Sequence, residues 1–114
     1  MVDDDESFRT VMALVLESNG FKVYAANGGH EAWKIFQQQM PDLIITAGEM
    51  RNGSGVELLQ QILKLQPDFP IIFIVSGYDD VSGDGFTHLS LKSILQKPFK
   101  NDALISEVRK CLAI

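Results

Sequence analysis

Cysteine and histidine are scarce in this sequence: among 114 residues there is one cysteine, Cys111, and there are two isolated histidines, His30 and His88. One cysteine excludes an internal disulfide and any cysteine-rich metal site, and two distant histidines argue against a histidine-based one. No apolar run approaches the about 20 residues that span a bilayer, and the best run, Ile71–Val75, has strand length. The N-terminus is acidic where a secretory signal would be basic and then apolar. We therefore expect a soluble, cytoplasmic protein with no membrane partner.

Basic residues are also few, with ten Lys and Arg against fifteen Asp and Glu and a net charge of −5. A domain that grips phosphates normally carries the opposite sign, so we expect no nucleic-acid partner. Apolar residues make up 46% of the chain, which is enough for a packed core. The length suits one domain over residues 1–114, with no repeat or linker.

Short apolar runs alternate with helical periods along the chain. Strands are predicted at a stub ending in Val2, at Phe21–Ala25, Leu43–Ile45, Ile71–Val75 and Ser93–Gln96. Helices are predicted at about 7–18, from Gly29 to Met40 with Met40 on the inner face, from Val56 to Leu65, weakly at 84–89, and from an Asn101 N-cap to Leu112. The alternation implies right-handed βαβ units. The fold class is therefore α/β, a doubly wound five-stranded parallel sheet with helices on both faces.

Functional groups in such a fold gather at the carboxyl ends of the strands. The residues predicted there are Asp3, Asp4, Ala47, Ser76 and Lys97. Around them stand Val2-Asp3-Asp4-Asp5-Glu6, Pro41-Asp42-Leu43-Ile44-Ile45, Glu49-Met50 with Gly55, Ser76-Gly77, and Gln96-Lys97-Pro98-Phe99. In this order and spacing, the pieces resemble the receiver domain of two-component response regulators, of the chemotaxis-regulator kind, over essentially the whole chain. The resemblance implies the flavodoxin-like receiver fold, with strand order 2-1-3-4-5.

The resemblance also implies a chemistry, which is aspartyl phosphorylation within a phosphorelay. In the family, a carboxylate at the end of the third strand attacks a phosphohistidine, while Mg²⁺ and a lysine neutralise the phosphoryl oxygens. Carried over by position, Asp3 and Asp4 match the acidic pair that holds the metal, and Glu49 supplies the carbonyl ligand. Ser76 matches the hydroxyl that binds a phosphoryl oxygen, and Lys97 matches the lysine.

The sequence departs from the family at the phosphoacceptor, which falls on Ala47. A methyl group can neither attack phosphorus nor ligate Mg²⁺. Thr46 is a poor substitute, because successive strand residues point to opposite faces. Glu49 could approach from the loop with a different reach and angle. A second departure is Arg51, which stands where the family has a proline.

We therefore expect a pseudo-receiver that is not phosphorylated, is not an enzyme and acts by binding another protein. No cofactor is expected, and any Mg²⁺ at Asp3, Asp4 and Glu49 would bind weakly, because Mg²⁺ demands near-ideal oxygen geometry. The expected partner is a histidine kinase or an output domain, at the face of the fourth and fifth helices and the fifth strand. Three alternatives stay open: a phosphorylatable receiver with Glu49 as acceptor, an engineered knockout, and an oligomerisation module such as a homodimer.

Simpler interpretations accompany several of these residues. The acidic run Asp3–Glu6 could cap the first helix, whose N-terminus favours negative charge, and Ser76 could be a loop-capping serine. For Lys97 we expect a hydrogen-bonded salt bridge to Asp3 or Asp4 in the metal's place. The first strand is short, since only Met1 and Val2 precede Asp3. Either the chain starts upstream, or the fold tolerates the defect, or a second chain compensates.

Overall fold

The computed structural model describes residues 1–48, 50–75 and 93–114. Within these ranges the helices are α1 (Glu6–Ser18), α2 (Gly29–Gln39), α3 (Gly55–Leu65) and α4 (Asn101–Leu112), and the strands are β1 (Ile44–Ala47), β2 (Ile71–Val75) and β3 (Ile94–Gln96). The α4 helix is the fifth of the helices predicted from the sequence. The weak helix predicted at 84–89, Glu49 and Ser76 lie outside the described residues.

The three described strands form a parallel sheet in the order β1-β2-β3. In the register, Thr46 of β1 pairs with Phe73 of β2, which in turn pairs with Ile94 of β3. Every residue of β2 is buried. A continuous apolar strand of this kind is typical of a parallel sheet covered on both faces, so the predicted α/β class is confirmed.

The first strand is reduced to a single residue, Val2, which pairs with the backbone on both of its sides. Val2 forms one parallel bridge to Ala26 and another to Thr46. The strand predicted at Phe21–Ala25 is wrong, because residues 21–25 form no regular ladder. Among the described residues they have only the stub at Val2 to pair with, and a ladder needs a partner of similar length. The described residues thus show three regular strands, and the order 2-1-3-4-5 stays a prediction.

Helix boundaries follow local capping chemistry. The Asp5 side chain accepts a hydrogen bond from the N–H of Phe8, and Ser54 Oγ accepts from the first turn of α3. Two expectations at helix ends are wrong. Met40 is 72% exposed and left-handed, because α2 ends at Gln39 before Pro41. The last helix is capped by Lys100 through its backbone, and Asn101 is its first residue.

Two apolar cores lie on opposite faces of the sheet. One contains Phe36 of α2, Ile62 of α3 and Phe73 of β2. The other contains Leu16 of α1, Ile72 of β2 and Val108 of α4. Because the strands are parallel, their carboxyl ends lie at the same edge of the covered sheet. None of the described helices is both long and apolar enough to cross a membrane.

Candidate functional site

The carboxyl ends of the first strand and of β1 lie side by side. The N–H of Ala47 donates to the carbonyl of Val2 at 3.0 Å, so the next residue, Asp3, lies beside Ala47 at the strand ends. Lys97 follows β3, and its N–H donates to the carbonyl of Val75 at 2.8 Å. Of the predicted site residues, the structure therefore brings together Asp3, Asp4, Ala47 and Lys97, while Ser76 and Glu49 lie outside the described residues.

Asp3 is a buried carboxylate with one unsatisfied oxygen. The side chain is 4% exposed, and its Oδ1 accepts a hydrogen bond from the N–H of Asp5 at 2.9 Å. Its Oδ2 accepts no hydrogen bond from any described residue. Burial raises the pKa of Asp3 above its ordinary value, although the Asp5 N–H and the Lys97 ammonium oppose that rise. An orphaned oxygen on a buried acid is costly unless a cation or water compensates it.

The Lys97 ammonium is shared between Asp3 and an aromatic ring. Its Nζ lies 3.9 Å from Oδ2 of Asp3 and 3.7 Å from the ring centroid of Phe8. The Phe8 ring packs edge-on against Phe99. The predicted salt bridge between Lys97 and Asp3 is present at ion-pair distance, but it is not hydrogen-bonded as expected, because 3.9 Å exceeds hydrogen-bond length. The cation–π contact with Phe8 holds the ammonium off the carboxylate and leaves an ion pair without a hydrogen bond.

Asp4 has a cationic partner that the sequence interpretation missed. Its Oδ2 accepts hydrogen bonds from the backbone N–H of Arg51 at 3.1 Å and from Nε of the same residue at 3.3 Å. Asp4 is 24% exposed and the Arg51 side chain 83%. The sequence did contain a signal for this contact, which is the arginine at position 51 where the family has a proline. A proline there would have neither the backbone N–H nor the positive charge.

Tight backbone contacts hold the loop between β1 and α3. The N–H of Gly55 donates to the carbonyl of Gly48 at 2.8 Å, and the N–H of Gly29 donates to the carbonyl of Gly53 at 3.0 Å. Gly53 has a φ of +100°, which favours glycine. A Cβ on Gly55 would overlap the carbonyl oxygen of Ala47. The loop that carries Arg51 is therefore fixed at both ends.

Replacing Gly55 with alanine should lower the free energy of unfolding by about 2–3 kcal/mol, because the new methyl group meets backbone that cannot rotate away. The matched control is Gly20→Ala, where a Cβ meets open space and the cost comes only from the φ of +89°; we expect about 1 kcal/mol there. Urea unfolding of both variants measures the difference. Equal losses would contradict the close contact between Gly55 and Ala47.

The described side chains do not fit a divalent metal ion. Asp3 and Asp4 are the carboxylates at this edge, and the third position carries the methyl group of Ala47. One oxygen of Asp4 is already bonded to Arg51. Within residues 1–48, 50–75 and 93–114, no group of three His, Cys, Asp or Glu side chains could hold a metal. Mg²⁺ demands near-ideal octahedral oxygen geometry, and the described side chains at this edge supply two carboxylates, of which one is engaged by Arg51.

Comparison with known proteins finds one family over nearly the whole chain. The family model described as the response regulator receiver domain matches residues 1–109. The chain is 30% identical over 112 residues to the transcriptional regulatory protein GlrR of Escherichia coli, covering 98% of this chain. It is 31% identical over 111 residues to the CAI-1 autoinducer sensor kinase/phosphatase CqsS of Vibrio cholerae, covering 95% of this chain.

These relatives are much longer than the present chain, which spans 25% of GlrR and 16% of CqsS. Among solved structures, the crystal structure of the receiver domain of NtrX from Brucella abortus superimposes with a TM-score of 0.89 at 24% identity. That alignment covers 98% of this chain and 95% of the NtrX domain. Identity at this level supports the fold alone, which agrees with the flavodoxin-like receiver architecture expected from the sequence.

Proposed function

This chain belongs to the response regulator receiver domain family, and on that basis we propose that it is a pseudo-receiver: a domain of two-component signalling that takes no phosphoryl group and acts by binding another protein. The observation that carries the proposal is Ala47 at the end of β1, beside Asp3. The family's chemistry needs a carboxylate there. A methyl group has no lone pair with which to attack phosphorus.

The charges around Ala47 support the same conclusion. In a working receiver, bound Mg²⁺ neutralises the phosphoryl oxygens. Here Asp4 is engaged by Arg51, and Lys97 stands over the ring of Phe8. We propose that Mg²⁺ binding at Asp3, Asp4 and Glu49 is weak or absent and that the domain needs no cofactor.

The proposed partner is a histidine kinase or an output domain in the cytoplasm. The proposed contact includes β3 and α4, together with the fourth helix predicted from the sequence, which lies outside the described residues. Ile94 on β3 supports this choice, since it is a large apolar side chain that is 40% exposed. We propose that this domain itself contacts neither nucleic acid nor membrane.

The test is a titration with Mg²⁺ and beryllofluoride, a phosphoryl mimic, followed by amide NMR. If the strand-end site binds neither Mg²⁺ nor beryllofluoride, the amide resonances of Asp3, Asp4, Ala47 and Lys97 should show no saturable shift. Saturable shifts at these amides would contradict the proposal and favour the alternative in which Glu49 accepts the phosphoryl group. In that case Glu49→Gln would abolish the response, whereas the pseudo-receiver predicts no response to abolish.

A further inference from the structure

Arg51 makes two contacts to one oxygen of Asp4, one from its main chain and one from its side chain. The N–H and Nε both donate to Oδ2, at 3.1 and 3.3 Å. The two residues are 47 positions apart in the sequence, so the loop after β1 must be folded against the strand ends for the contacts to form. A guanidinium is always charged and its donors are fixed in one plane.

The neighbouring carboxylate, Asp3, also has a cation of the chain beside it, since the Lys97 ammonium lies 3.9 Å from its Oδ2. Nη1 of Arg9 donates to the main-chain carbonyl of Asp3 at 2.7 Å, and so contacts its backbone rather than its carboxylate. Two adjacent carboxylates without a counterion would repel each other and any third negative group. Here each of them has a basic side chain within ion-pair distance.

We propose that Arg51 is a tethered cation that occupies the position of a divalent ion at Asp4, so that this edge of the sheet is neutralised by the chain itself. The proposal rests on the proposed function, since it explains how an acidic pair persists in a domain without metal-dependent chemistry. It also explains why the described residues do not fit a metal: the free oxygens are few, and a positive group already stands beside them. Among the described residues, Oδ2 of Asp3 remains a buried acceptor without a hydrogen bond.

The test compares Mg²⁺ binding by the wild type, Arg51→Gln and Arg51→Lys, with Arg109→Gln as a control that removes the same charge from the exposed part of α4. Binding is read from amide shifts of residues 3–5 and from the unfolding temperature, at constant ionic strength. Removing a positive charge beside the divalent ion should lower the dissociation constant for Mg²⁺ about tenfold. We expect this for Arg51→Gln, and wild-type behaviour for Arg51→Lys and Arg109→Gln.

The proposal is overturned if Arg51→Gln binds Mg²⁺ no better than the wild type, including the case in which neither binds. It is also overturned if Arg109→Gln gains as much, because the effect would then reflect net charge alone. Its failure is separable from failure of the proposed function. A wild type that accepts phosphate would refute the pseudo-receiver whatever Arg51 does, whereas unchanged Mg²⁺ binding in Arg51→Gln refutes only the tethered cation.

Discussion

Ala47→Asp is expected to take a phosphoryl group from acetyl phosphate in the presence of Mg²⁺, whereas the wild type is expected to take none. The new carboxylate would stand beside Asp3 at the strand ends, because the Ala47 N–H bonds to the carbonyl of Val2. It supplies the nucleophile and a third acidic ligand in one substitution. Lys97 is already within 3.9 Å of Asp3, and its ammonium can swing from Phe8 towards a phosphoryl oxygen.

The matched control is Ala47→Asn, which has nearly the same shape without a nucleophilic oxygen anion. Intact-mass measurement should show acid-stable, base-labile phosphate on Ala47→Asp and none on Ala47→Asn. Adding Arg51→Gln to Ala47→Asp should increase the yield further, since the cation that competes with Mg²⁺ is removed. An unlabelled Ala47→Asp variant would mean that the pocket differs from a working one in more than its acceptor.

A four-residue apolar extension before Met1 is expected to raise the free energy of unfolding by about 2–3 kcal/mol. A groove of about 290 Å³ lies between residues 21–24 and 42–45, on the line along which the short first strand would continue. The first hydrogen bond between this strand and residues 21–24 is already present, since the Met1 ammonium donates to the carbonyl of Tyr24 at 2.9 Å. Each further ladder bond contributes about 1 kcal/mol, and buried apolar side chains add to it, against the entropy of ordering the segment.

A Gly-Ser extension of the same length is the control, because it relocates the terminal amine without filling the groove. Burial lowers the pKa of the Met1 amine to about 6 from its ordinary 8.0. Between these values the unfolded chain binds more protons, so the stability of the 114-residue chain should rise with pH by about 2 kcal/mol. Both extensions should abolish this slope, and only the apolar one should stabilise. Equal stability of the two extended chains in urea would contradict strand completion.

Most of the regular structure could be predicted where local chemistry decides it. Asn19-Gly20 ends α1, Pro67 follows α3, and the continuous apolar run Ile71–Val75 forms the buried strand β2. The wrong predictions lie where contacts between residues distant in the sequence decide the local structure. Residues 21–25 have strand composition, but in the part of the chain that the structure describes they have only the stub at Val2 to pair with. Met40 lies off the inner face of α2 because its backbone forms the left-handed cap of that helix.

The candidate site was predictable in its positions but not in its contacts. Motif spacing placed Asp3, Asp4, Ala47 and Lys97 at one edge of the sheet. It could not show that the ring of Phe8 would draw the Lys97 ammonium away from hydrogen-bonding distance of Asp3. It also could not show that Arg51 would bond to Asp4, because that contact depends on how the loop after β1 is folded.

The most direct measurement of whether the acceptor is missing is intact-mass spectrometry of the wild-type chain after incubation with acetyl phosphate and Mg²⁺, with Ala47→Asp as the positive control. A domain whose strand end carries only a methyl group predicts an unchanged wild-type mass under conditions that label the variant. A wild-type chain that gains a base-labile phosphoryl group within this domain would contradict it.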